Sequence, residues 1–125
     1  MNPTAPQFAT LGMYAFTAAQ QAAWQQLFDR FCDLSTVARG SVTLSFDHDP
    51  KRLLEPGLWL GHTCGYPLMT GLQDHVSPFC VHLFDVPGTK GKLYSSRFIV
   101  AADSDIQTIA DSRGRVAAMN NPDSN

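Results

Sequence analysis

Along the chain, apolar residues recur with two different periods, and the places where the period changes mark the expected elements. Phe8-Ala-Thr-Leu-Gly-Met-Tyr-Ala-Phe16 is a short apolar run rich in aromatics, which predicts a buried strand opening a sheet. Thr17 with Gln20 three residues on is a capping-box pattern. Trp24, Leu27, Phe28 and Phe31 then fall at i, i+3, i+4 and i+7, predicting an amphipathic helix with one core face that stops between Asp33 and Gly40. Val42-Thr-Leu-Ser-Phe46 alternates apolar and polar and predicts a second strand. Pro50 suits the first position of a short helix through Leu54, with Asp49 as its cap, and Pro56-Gly57 ends it.

The second half continues the alternation. Leu58 to His62 predicts a third strand, and Thr63-Cys-Gly65 turns into a helix starting near Tyr66-Pro67. Phe79 to Phe84 predicts a fourth strand, Pro87 to Lys92 a loop, and Ser96 to Ala101 a fifth strand. Ser104 with Gln107 forms a second capping-box pattern ahead of Ile106, Ile109 and Ala110, Gly114 stops that helix, and Arg115 to Met119 predicts a sixth strand. Strands separated by helical segments of this length imply βαβ units. The expected fold is therefore α/β: residues 1–125 as one lobe, with a central, mostly parallel sheet of about five or six strands flanked by helices. Residues 115–125 would begin a crossover toward a second lobe.

Composition narrows the partners. Apolar residues make up 44% of the 125, enough for an ordinary core. Nine basic and eleven acidic residues give a net charge of -2 with no Lys/Arg run, which speaks against nucleic acid and anionic membrane surfaces. No apolar run approaches the ~20 residues of a membrane span, and Met1 to Gln7 lacks the charged and apolar regions of a secretory signal. The expected compartment is periplasmic or cytoplasmic. Cys32, Cys64 and Cys80 are an odd number at no metal spacing, and His48, His62, His75 and His82 do not share a helix face, so no metal or cofactor is called for.

In open α/β sheets, ligands sit outside the carboxyl ends of the strands. Met13-Tyr14, His62-Thr-Cys-Gly65 and Asn120 to Asn125 are the polar segments expected there. At Thr63-Cys64-Gly65 a strand enters a helix, where backbone N–H groups attract anions and glycine lets a ligand approach closely. The same turn also reads as an ordinary strand–helix connection with a buried thiol. It reads further as a nucleophile, Cys64, with His62 or His82 as base. Asp123-Ser-Asn125 would cap a helix and donate to an anion, or form a plain turn.

Four stretches taken together resemble the phosphate/phosphonate ABC-transporter substrate-binding proteins of the class II periplasmic-binding-protein superfamily. They are Leu11-Gly-Met-Tyr14, His62-Thr-Cys-Gly-Tyr-Pro67, Tyr94-Ser-Ser-Arg97, and the passage from Ile109 to Asn125. The resemblance implies a two-lobed clamshell of which this chain is the first lobe, ending inside the oxyanion-gripping turn. It implies non-catalytic binding of a small oxyanion, with Tyr14, Thr63, Cys64, Tyr94, Ser96, Ser124 and Asn125 facing the cleft. An ABC-transporter membrane component would be the partner, and the isolated lobe could pair as a homodimer. Related clamshells hold sulfonates or a thiamine-pathway pyrimidine, and the residues do not separate these ligands. An enzyme built on Cys64 and a ligand-free interaction domain are the rival expectations.

Overall fold

The computed structural model describes residues 6–93 and 97–119, grouped into two compact units, 1–77 and 78–125. The protein is mixed α/β with a small open parallel sheet.

In the first unit, β1 (Gln7–Thr10), β2 (Val42–Ser45) and β3 (Leu58–Gly61) form a sheet in the order β2-β1-β3, both pairings parallel. The long expected first strand is short. It ends at Thr10 because Gly12 must pass hard against the backbone leaving β2: a Cβ on Gly12 would lie 2.9 Å from both the Asp47 carbonyl carbon and the Phe46 carbonyl oxygen. The chain then turns, with the Ala15 amide donating to the Gly12 carbonyl at 3.0 Å.

Helix α1 (Ala18–Leu34) starts where the capping box predicts. The Thr17 hydroxyl accepts from the Gln20 amide at 3.2 Å, and the Gln20 side chain accepts from the Thr17 amide at 3.0 Å, satisfying donors that the first helical turn leaves open. Its buried residues are Phe28 and Cys32, with Trp24 and Phe31 packing nearby. Leu27, expected on the core face, is 52% exposed. Positions 24, 28 and 32 form the inward row centred on Phe28, and at about 100° per residue its neighbour Leu27 falls about 100° away from that centre.

Ala9, Leu11 and Val42 meet Phe28 and Cys32 to form the core, with Leu44 and Leu60 packed against it. Between Phe8 and Ala9 the β1–β3 register shifts, so that Leu58 and Leu60 have partners and Trp59 has none. The Trp59 ring instead packs edge-on against Phe28 at 6.1 Å and Phe31 at 5.4 Å. A 3₁₀ turn, Pro50–Leu54, is capped as expected by Asp49, whose side chain accepts from Lys51 at 2.9 Å. It sets Arg52 4.3 Å over the Phe8 ring and Leu53 against Gly61, where any Cβ would collide with it. By the alternation of strand side chains, Phe8, Thr10 and Gly61 face away from Ala9, so this turn covers the opposite face from α1. Gly57, at φ 93°, makes the left-handed bend that β3 needs.

The second unit departs most from the sequence expectation. Residues 79–84, 97–101 and 115–119 form no ladder, so the sheet has three strands among the described residues rather than five or six. Val81, Phe98, Ile99 and Val116 are each more than 80% exposed. Alternation and β-branching prepare a strand, but only a neighbouring strand and a covered face make one. Local contacts organise this unit. The Thr89 hydroxyl bonds to the Phe84 carbonyl at 2.6 Å and the Val86 carbonyl at 2.8 Å, Lys90 and Leu93 form an antiparallel bridge, and Arg115 pairs with Asp105 at 2.7 Å. The expected helix after Ser104 is a single 3₁₀ turn, Ile109–Ser112. Its N-cap is Thr108, and Asp111 three residues on reaches back to accept from the Thr108 amide at 2.8 Å and the Gln107 amide at 3.1 Å, a charge-assisted arrangement at the start of the turn. Gly114, at φ 78°, follows the turn as expected.

Candidate functional site

The strand order reverses at β1. The first connection carries the chain to one side, where β2 pairs, and the second carries it back across to β3 on the other. The crevice outside the carboxyl ends of strands at such a reversal is where open α/β sheets hold ligands. Here it is formed by the loop leaving β1, residues 11–15, and the loop leaving β3, residues 62–65.

The two loops are in contact. The His62 amide continues the sheet by donating to the Thr10 carbonyl at 3.2 Å. The His62 ring lies 6.4 Å from Tyr14 and stands edge-on to Trp24 at 4.5 Å. Trp24 comes from the second turn of α1 and donates its indole N–H to the Tyr14 carbonyl at 3.2 Å. One residue back, Met13 Sδ is 3.9 Å from Cys64 Sγ. The Thr10 hydroxyl, donating to the Asp47 carbonyl at 3.0 Å, holds the exit of β2 beside the same end of the sheet.

Cys64 is extended, at φ -79° and ψ 162°, and precedes α2 (Gly65–Pro67), which runs on as a single π turn through Leu72. No side chain caps this helical stretch. The Thr63 hydroxyl makes only a long 3.3 Å bond to the Cys64 carbonyl, and a Cβ on Gly65 would meet nothing within 4 Å. The turn thus offers backbone N–H groups, a weakly engaged hydroxyl and open space for an incoming group.

Of the residues expected to face a ligand, Tyr14, Thr63 and Cys64 gather at this crevice. Tyr94, Ser96, Ser124 and Asn125 lie outside the described residues. The sequence pattern placed Trp24 only in the core, yet it is also the third wall of the site. The usable signal was its position: the first residue of the α1 stripe is the one nearest the carboxyl end of the preceding strand. All three cysteines are free thiols, Cys32 buried, Cys64 half-buried and Cys80 exposed. Burial, together with the carboxylates of Asp29 and Asp33, pushes the Cys32 thiol up from its ordinary range.

Comparison with protein-family models, with curated protein sequences and with solved structures found no match to this chain.

Proposed function

We propose that the crevice between the β1 and β3 loops binds a small oxyanion of the phosphate or phosphonate class without catalysis, in the manner of a solute-binding protein or related sensor. The observation that carries this reading is the β2-β1-β3 parallel order with an uncapped strand-to-helix turn, Thr63-Cys64-Gly65, at the reversal. Amides at such a turn point toward a ligand and favour negative charge. Tyr14 and His62 add an aromatic wall with polar edges, and the Thr63 hydroxyl is a ready donor.

In this reading the chain works as the first lobe of a clamshell, and closure against a second lobe would exclude water and strengthen the charge-assisted bonds. An ABC-transporter membrane component is the corresponding partner. With part of its donors missing, each worth about 1.5–3 kcal/mol toward a charged group, one lobe binds in the millimolar range.

The test is thermal unfolding in phosphate, phosphite, methylphosphonate or sulfate, each against chloride at equal ionic strength. A ligand at one hundred times its dissociation constant adds about 2.7 kcal/mol, several degrees for a domain of this size. One of these anions should raise the midpoint in the wild type and do so less in Thr63→Val. No rise above chloride with any of them rejects the reading and favours a ligand-free interaction domain.

A further inference from the structure

Beyond oxyanion binding, we propose that Met13 and Cys64, with His62, form a binding site for a soft monovalent metal ion of the Cu(I) class. The two sulfurs come from residues 51 positions apart and lie 3.9 Å from each other, each on a loop fixed by its own contacts. Met13 sits between Gly12, locked against the Asp47 backbone, and Tyr14, whose carbonyl is held by Trp24. Cys64 is held from the other side, its carbonyl accepting from the Leu68 amide at 3.2 Å.

The separation has a chemical meaning. If each sulfur stood about 2.3 Å from one ion, the length of a thiolate–zinc bond, a 3.9 Å gap would subtend about 115° at the metal. That angle fits two donors of a three-coordinate centre. His62 supplies the third donor. It lies two residues before Cys64, with its backbone pinned to Thr10 and its ring lodged against Trp24.

The donor set selects the metal class. A thioether is a soft, weak donor that adds little for Zn²⁺, Mg²⁺ or Ca²⁺, whereas thiolate and thioether together favour Cu(I). Met13 and Cys64 are both half-buried, so the sulfurs are reachable yet partly shielded from water. Binding replaces the thiol S–H by an S–Cu bond and releases that proton to solvent. The oxidation state of the metal does not change.

The experiment is anaerobic titration of the whole chain with Cu(I), with bicinchoninate as the chromophoric competitor. X-ray absorption then reads the first shell of the bound ion. The expected result is one competing Cu(I) per chain, with two sulfur scatterers and one nitrogen. Cys64→Ser should abolish competition. Met13→Leu should weaken it by on the order of 10–100-fold, the scale for perturbing a ligand shell, and Cys80→Ser should leave it unchanged. In protein labelled with selenomethionine, a Cu–Se distance should be present and should vanish in Met13→Leu. Circular dichroism and thermal melts establish that each variant is folded. Competition that survives in Cys64→Ser, or folded Met13→Leu binding as tightly as the wild type with no Cu–Se distance in the labelled wild type, overturns the proposal. Inorganic phosphate binding, read separately through Thr63→Val, succeeds or fails independently of this result.

Discussion

The Trp24 indole N–H donates to the Tyr14 carbonyl at 3.2 Å, fastening the loop that leaves β1 to the helix that follows it. The bond closes a short circuit of chain: the strand ends, the loop turns, the helix begins, and its second turn reaches back. The same ring stands edge-on to His62, so one side chain positions both loops of the crevice. Trp24→Phe removes the donor and keeps most of the ring. The expected cost is about 1 kcal/mol, the net worth of one hydrogen bond. It should concentrate in the loop, as faster amide exchange at Ala15 with the exchange of Leu44 in the core little changed. Equal acceleration at both positions would mean that Trp24 supports the core and not the loop.

Gly12 and Gly71 make a matched pair. A Cβ at Gly12 runs into the Asp47 carbonyl group, backbone that cannot swing aside, whereas a Cβ at Gly71, in the helical stretch after Cys64, meets nothing within 4 Å. Gly12→Ala should therefore destabilise by about 1–3 kcal/mol, the range for overpacking. Gly71→Ala should stabilise by about 0.5–1 kcal/mol through lost chain entropy in the unfolded state. Urea midpoints moving in opposite directions satisfy both expectations. A neutral Gly12→Ala would show that the β1 and β2 exits are not closely packed.

How much was legible in the sequence follows from whether a signal is local. Thr17 and Gln20 satisfy each other within four residues, and Asp49 caps Lys51 two residues on, so both helix starts could be read from the chain alone. The inward row of α1 was only half legible, because Leu27 and Cys32 differ in their orientation to a sheet that the helix sequence does not contain. Phe79 to Phe84 carries strand-like alternation, but a ladder depends on a partner elsewhere in the chain, and the described residues provide none. The crevice was visible as two loop segments, Met13-Tyr14 and His62 to Gly65. Their meeting required the strand order, which no short window encodes.

Asp111 offers a pH test confined to one turn. Hydrogen bonds from the Thr108 hydroxyl and amide, then from the Gln107 amide, hold its carboxyl below the ordinary value of 3.8. A depressed carboxylate stabilises the fold above its unfolded value, and that contribution is lost as pH falls through the lower folded value. The 109–112 turn should thus persist through pH 4 and loosen only below it. In an NMR titration, the Thr108 and Gln107 amide shifts should move together with a midpoint under 3.8. A midpoint at or above that value would mean that the three bonds do not form in solution. In Asp111→Asn the acid transition should disappear.

The three thiols should separate by access. Cys80 is exposed, Cys64 half-buried and Cys32 3% exposed in the core beside Phe28. Alkylation by iodoacetamide requires a reachable thiolate, so the expected order is Cys80, then Cys64, then Cys32. Cys32 should react only when the first unit opens, and adding urea below the unfolding midpoint should accelerate Cys32 much more than Cys80. Its raised pKa fixes the sign of the pH effect. The folded state holds the Cys32 proton more tightly than the unfolded state, so this contribution to stability is intact at neutral pH and declines as pH rises past the ordinary thiol value of 9.0. Peptide mapping after timed quenching resolves the three sites. If Cys64 were to outpace the exposed Cys80 by a wide margin, exposure could not be the cause. The thiol would then be activated by its surroundings, and the nucleophile reading of the Thr63-Cys64-Gly65 turn would displace the binding one.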